Sequence, residues 1–260
     1  MGLSPNRGFL LTCLGPAQEI PAIVWPRAIL PWRRPSALPG TEEHRDFVRR
    51  EIRMPIISAP DALERLREGN RRFVSGMQSR DANLGHAQRI DGTKGQAPFA
   101  IILGCSDSRV PVEIVFDQGL GDLFVIRVAG NIVAPSQVGS VEFASARFGT
   151  RLVVVLGHSE CGAVLATLDE LQQPTENQSP SLRSIVDGVR PSVEELLKSE
   201  LRHDLDTLVQ RAVRANVDVS VNHLRHGSEI LEQLIQNEDL LVVGAEYSLE
   251  TGEVDFFDCP

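Results

Sequence analysis

The sequence is poor in the residue types that mark specialised protein classes. Its four cysteines in 260 residues are too few for a disulfide-based fold, and a chain of this length buries enough apolar surface without such bonds. In the N-terminal region, the longest apolar stretch covers residues 9–14, which is too short to span a membrane. Basic residues number 26 against 35 acidic ones, which disfavours binding to nucleic acid or to anionic membranes. The composition is otherwise that of a soluble globular protein.

The first 53 residues differ in composition from the rest. Eight arginines and five acidic residues give residues 1–53 a net charge of +3, whereas residues 54–260 hold 18 basic and 30 acidic residues, a net charge of −12. Seven prolines in the first segment exclude long helices and central strands. We therefore predict a Pro-rich extension over 1–53, disordered or serving in targeting, and one folded domain over 54–260. Cytoplasmic location is the default expectation; organelle targeting, export and a start at Met54 stay open.

Regular elements are predicted from residue 60 onward. Three continuous apolar runs end at glycine, and a fourth run lies between the first two, as expected for strands buried on both faces: 100–105, 152–158, 240–245 and 123–128. Helical patterns lie before and between them: 61–69, with a stop at Gly69, then 137–147, 163–171, 193–201 and 205–236. Two short runs around Thr251 and Gly252 predict a closing hairpin. The fold class is therefore α/β, with a mostly parallel sheet flanked by helices and an antiparallel edge hairpin near the C-terminus.

Three potential metal ligands follow the ends of predicted strands. Cys105 and His158 each come directly after a strand-ending glycine, so both are expected at the carboxyl edge of the sheet. Cys161 follows three residues later, where the chain turns into a helix whose dipole favours a thiolate. Two cysteines and one histidine form a ligand set typical of zinc enzymes that keep a fourth position open. The alternative is a purely structural role for these residues, with Cys105 and Cys161 as buried core cysteines and His158 as a residue that caps a strand.

A carboxylate and a guanidinium follow the first ligand. Asp107 and Arg109 stand two and four residues after Cys105, close enough to pair in an extended turn. An adjacent guanidinium keeps a carboxylate ionised, and it can hold both carboxylate oxygens at once. We interpret Asp107 as an oriented hydrogen-bond acceptor beside the open metal position.

The motifs Cys105-Ser-Asp-Ser-Arg109 and His158-Ser-Glu-Cys-Gly162 together resemble the two signatures of the β-class carbonic anhydrases. The resemblance runs from about residue 59 to the C-terminus and includes three further segments: Glu68–Phe73, Gln96 and Arg127–Asn131. It implies one zinc ion per subunit held by Cys105, His158 and Cys161, with Asp107 and Arg109 as a catalytic dyad. It also implies a substrate pocket lined by Gln96, Phe124 and Gly162.

The implied activity is the reversible hydration of carbon dioxide to bicarbonate and a proton, by attack of zinc-bound hydroxide, which makes the expected enzyme a zinc lyase. Family members form their pocket between two subunits, so a homodimer or homotetramer is expected. Two departures from the family are present. Ile102 replaces a tryptophan associated with regulation by a second bicarbonate, and Phe143 occupies a pocket position that is often tyrosine.

Two alternative functions stay open at this stage. The same zinc site could hydrolyse carbonyl sulfide or carbon disulfide, because that reaction resembles carbon dioxide hydration. The protein could also be a catalytically inactive zinc-binding oligomer. The sequence also leaves open whether Asp107 closes the fourth zinc position at rest. No nucleic-acid or membrane partner is expected.

Overall fold

The computed structural model describes residues 57–77, 96–174 and 179–257. In chain order the elements are α1 (Ala59–Val74), β1 (Ala100–Gly104), α2 (Val112–Val115), β2 (Leu123–Arg127), a 3₁₀ turn (Ala129–Asn131), α3 (Pro135–Phe148), β3 (Leu152–His158), α4 (Gly162–Gln172), α5 (Pro180–Lys198), a second 3₁₀ turn (Glu200–His203), α6 (Leu205–His226), α7 (Glu229–Asn237), β4 (Leu241–Tyr247) and β5 (Val254–Phe257). The predicted extension over 1–53 lies outside the described residues.

The strands form one sheet in the order β2-β1-β3-β4-β5, parallel throughout except for the antiparallel β4–β5 pair. This confirms the predicted fold class, including the edge hairpin. Gly104 pairs with Arg127 on one side and with Leu156 on the other, so the carboxyl ends of β1, β2 and β3 lie side by side. The residues that follow these strands therefore share one edge of the sheet.

Helices cover both faces of the sheet, which explains why the central strands are continuously apolar. Ile102 and Val154 lie in a core that includes residues of α1 and α2, among them Leu66. Their neighbours Ile101 and Val153 lie in a second core with residues of α3, α6 and α7. All five residues of β1 and all seven of β3 are buried.

Three predicted helix bounds are wrong. Helix α1 continues through Gly69 to Val74, because Gly69 marks a close contact with the chain at Phe116 and not a helix end. The predicted helix 205–236 is two helices, since Ser228 caps a new one after Gly227. Helix α5 begins at Pro180, well before the predicted residue 193, with Ser179 as its cap.

Candidate metal centre

The carboxyl edge of the sheet brings together Cys105, His158 and Cys161, as the sequence predicts. Their ligand atoms all lie within 4.8 Å of one another, and all three residues are buried. Cys105 directly follows β1, and His158 is the last residue of β3. Cys161 is the N-cap of α4, where the helix dipole favours negative charge on sulfur. Adjacent parallel strands thus place ligands that are 53 residues apart in sequence at one point.

The imidazole of His158 is oriented as a metal ligand. Its Nδ1 lies 2.9 Å from the carbonyl oxygen of Ser159, to which an Nδ1–H donates. That hydrogen bond fixes the tautomer and leaves a lone pair on Nε2. Nε2 is fully buried and makes no hydrogen bond within the part of the chain that the structure describes. A buried lone pair without a donor is costly, and a cation beside the two thiols would satisfy it.

The two thiols are arranged to carry negative charge. The sulfur atoms of Cys105 and Cys161 lie 4.0 Å apart in buried positions. The pKa of Cys105 is lowered, first by the hydrogen bond from Cys161, then by the nearby imidazole of His158 and by the backbone N–H groups of Gly130 and Asp107. The pKa of Cys161 is raised in turn, because Cys105 already holds the charge and burial opposes a second one. A divalent cation would offset that repulsion, so this donor set fits zinc.

Asp107 and Arg109 form the predicted pair beside the three ligands. The Oδ1 atom accepts hydrogen bonds from the backbone N–H and from Nε of Arg109, while Oδ2 accepts one from Nη2 at 2.8 Å. These bonds hold the pKa of Asp107 well below its usual range. Oδ2 also lies 3.8 Å from Nε2 of His158, so a fixed carboxylate oxygen faces the candidate metal position.

The predicted pocket residues occupy two different places. Gly162 is the first residue of α4, next to Cys161, and a Cβ atom there would meet nothing within 4 Å. Phe124 lies on β2 three residues before Arg127, hence about 10 Å from the metal edge of its own protomer. Gln96 precedes β1 and lies beside Gly121, also at the amino end of the strands. Of these three residues, the chain therefore brings only Gly162 to its own candidate metal centre.

Arg127 has a structural role at the site that sequence reasoning did not assign. From the end of β2, its Nε donates to the carbonyl of Cys105 at 2.9 Å and its Nη2 donates to the carbonyl of Asp107 at 2.6 Å. One guanidinium thus holds the backbone of the whole Cys105–Arg109 loop. In the sequence, the only sign of this role was that Arg127 belongs to the Arg127–Asn131 segment included in the family resemblance.

A family model described as carbonic anhydrase matches residues 100–254, which contain strands β1 to β4 and all three candidate ligands. The chain belongs to the β-class carbonic anhydrase family. It is 38% identical to a carbonic anhydrase of Mycolicibacterium smegmatis over 204 residues, covering 78% of this chain and 95% of that protein. It is also 38% identical to carbonic anhydrase 2 of Mycobacterium tuberculosis over 200 residues, covering 76% and 93% of the two chains.

Solved β-carbonic anhydrases share the fold. The enzyme CafA of Aspergillus fumigatus aligns with a TM-score of 0.59 and 28% identity, over 66% of this chain and 82% of its own. A tetrameric β-carbonic anhydrase of Sordaria macrospora aligns with a TM-score of 0.56 and 26% identity, over 66% and 86% of the two chains. Among the described helices of the present chain, none combines the length and the apolar character that crossing a membrane requires.

Proposed function

We propose that this β-carbonic anhydrase hydrates carbon dioxide reversibly to bicarbonate and a proton, with one zinc ion per subunit held by Cys105, His158 and Cys161. The convergence of two buried sulfurs and a ring nitrogen of His158 within 4.8 Å carries this proposal, together with the Nε2 atom of His158, which has no hydrogen-bond partner among the described residues. Three ligands of this type match catalytic zinc sites, which keep one position open, and not structural sites, which have four protein ligands. When bound there, zinc supplies a water molecule acidified enough to act as a nucleophile near neutral pH.

Asp107 orients the reacting groups in this proposal. Its Oδ2 atom faces the metal position and, being ionised, can only accept a hydrogen bond there. It therefore accepts a hydrogen bond from the nucleophile and so directs a lone pair of that nucleophile toward carbon dioxide. Arg109 keeps the carboxylate in this orientation through its three hydrogen bonds to the two oxygens. The same bonds keep Asp107 from turning toward the cation itself.

The substrate pocket needs a second copy of the chain in this proposal. Gln96 and Phe124 lie at the amino end of the strands, away from the ligands of their own protomer. Phe124 lies on an edge strand, and its ring is 6.2 Å from that of Phe143, which is 45% exposed. In a two-fold dimer, each subunit would cover the Phe124 and Phe143 rings of the other. These rings would then lie over the open side of the covering subunit's metal centre, beside its Gly162. We therefore propose a homodimer as the smallest active unit.

Stopped-flow measurement of carbon dioxide hydration on protein of known metal content tests the function. We expect one zinc per chain, loss of activity on chelation and recovery on adding zinc. Hydrolysis of carbonyl sulfide is measured in parallel. Faster turnover of carbonyl sulfide than of carbon dioxide would make carbonyl sulfide the substrate instead. A protein that holds zinc but turns over neither substrate would contradict an enzymatic role.

Cys161→Ser tests the ligand assignment in the same assay. Serine does not supply the thiolate, so the variant should lose zinc and activity together. Cys13→Ser makes the same chemical change outside both motifs and should keep both. A Cys161→Ser protein with one zinc per chain would refute the ligand set.

A further inference from the structure

The sulfur of Cys105 accepts a hydrogen bond from a turn outside the two sequence motifs. The backbone N–H of Gly130 donates to this sulfur at 3.3 Å, in the 3₁₀ turn that follows β2. A hydrogen bond to a thiolate draws negative charge from the sulfur and fixes the direction of its lone pairs. Whatever holds the turn therefore influences how the sulfur binds a metal.

The turn has a backbone geometry that needs support. Gly130 has φ of 71°, and a Cβ atom there would lie 3.1 Å from both the Ala163 and the Val189 side chains. The next residue, Asn131, also has a positive φ, 43°, in the left-handed region that few residues with a side chain adopt. Two consecutive residues in the left-handed region do not persist unless surrounding contacts hold them.

Helix α6 supplies these contacts. The side-chain Nδ2 of Asn216 donates to the carbonyl of Gly130 at 2.7 Å, and the hydroxyl of Ser220, one turn later, donates to the carbonyl of Asn131 at 3.0 Å. Asn216 is 1% exposed, and its Oδ1 lies 3.4 Å from the hydroxyl of Ser192 on α5. A buried amide placed this way fixes the orientation of the Gly130 carbonyl and thereby restrains the backbone of the turn.

We propose that Asn216 is a positioning residue for the proposed zinc ligand Cys105: by binding the Gly130 carbonyl it restrains the backbone of Gly130, whose N–H donates to the thiolate. This inference rests on the proposed zinc site and adds a residue that lies 55 positions beyond the last ligand. Losing a hydrogen-bonding partner behind a metal ligand typically lowers metal affinity about 10-fold to 100-fold. We expect that loss for Asn216→Ala, together with a shift of the thiolate-to-metal charge-transfer band of the cobalt-substituted protein.

A buried asparagine elsewhere provides the matched control. Asn70 on α1 donates to the carbonyls of Val115 and Gly252 and accepts from the N–H of Val254, away from the metal ligands. Asn70→Ala should lower the melting temperature as Asn216→Ala does, because both leave buried carbonyls unsatisfied. Only the Asn216 variant should change zinc affinity, measured by chelator competition, and the cobalt spectrum. Equal affinities and spectra in both folded variants would overturn the proposal.

A measurement on the unmodified chain covers the case in which Asn216→Ala does not fold. The full-length protein loaded with NMR-active cadmium should show scalar coupling between the metal and the Gly130 amide proton, transmitted through the hydrogen bond to sulfur. Absence of this coupling in a cadmium-loaded, folded protein would overturn the proposal. Cadmium loading does not depend on turnover, so this outcome is distinct from failure of the hydration assay.

Discussion

Replacing Asp107 with asparagine separates metal binding from catalysis. The Oδ1 atom of Asp107 accepts two hydrogen bonds from Arg109, so an asparagine keeps its only oxygen at that position. Its NH₂ group then takes the place of Oδ2, which faces both Arg109 Nη2 and the metal side of His158. A hydrogen-bond donor thus replaces the acceptor at the position to which the nucleophile must donate a hydrogen bond.

The size of the effect follows from that reversal. A positioned group that accepts a proton or a hydrogen bond in the transition state typically contributes about 100-fold to 10,000-fold in rate. We expect kcat of Asp107→Asn to fall by at least about 100-fold, with zinc content unchanged because the residue is not a ligand. Fold stability should change little, since the Arg109 side chain is 53% exposed and water competes for its hydrogen bonds.

The assay is stopped-flow hydration of carbon dioxide, with zinc per chain measured on the same sample. Asp187→Asn is the matched control, because Asp187 accepts a hydrogen bond from Arg190 in an exposed pair outside both motifs. That variant should keep full activity. Asp107→Asn with a kcat within a few-fold of the unmodified enzyme would refute the orienting role, and loss of zinc would show that Asp107 supports the ligands instead.

Four further outcomes are expected. Hydration should be fastest on the alkaline side of neutrality, because two thiolates donate more negative charge to zinc than imidazoles do; full activity well below neutrality would refute this. Arg109 lowers the pKa of Asp107, so this residue stays ionised, and its stabilising contribution should be lost only as the pH falls below its usual range. Deleting residues 1–53 should leave kcat unchanged, and an inactive product would show that the extension belongs to the catalytic domain. Gly69→Ala should destabilise the fold by about 1–3 kcal/mol or more, since its Cβ would lie 1.8 Å from the Phe116 carbonyl oxygen, whereas Gly139→Ala on α3, with open space around it, should not; urea unfolding compares the two.

The sheet could be predicted because its strands are buried on both faces and end at glycines. The ends of the helices could be predicted less well than the strands, because they depend on contacts between segments that are distant in sequence. In the sequence, Gly69 is typical of a helix end. In the structure it lies inside the helix, and the absence of a side chain lets the Phe116 backbone pack closely against it. The break at Gly227 is compatible with a helical pattern on both sides, and only the cap at Ser228 marks the new helix.

The convergence of the three candidate ligands could be predicted because strand ends, ligand chemistry and motif spacing agree at Cys105, His158 and Cys161. The residues that hold them could not. Arg127 acts through backbone carbonyls, and Asn216 acts through another residue's peptide group. Neither contact leaves a local sequence pattern, because a buried helix accommodates an asparagine wherever the fold provides a carbonyl to bind.

The proposed pocket between two subunits makes a prediction about mixed oligomers. Asp107→Asn damages the metal side of a site, and Gln96→Ala damages the side that we assign to the partner, so each variant alone should be nearly inactive. In a heterodimer of the two, one site combines both defects while the other combines an intact metal centre with an intact Gln96. Coexpression with two affinity tags isolates this heterodimer, which should regain about half the activity per zinc of the unmodified dimer. If Gln96 instead served its own protomer, both sites would be damaged and the heterodimer would stay inactive, which is why the experiment decides between the two arrangements.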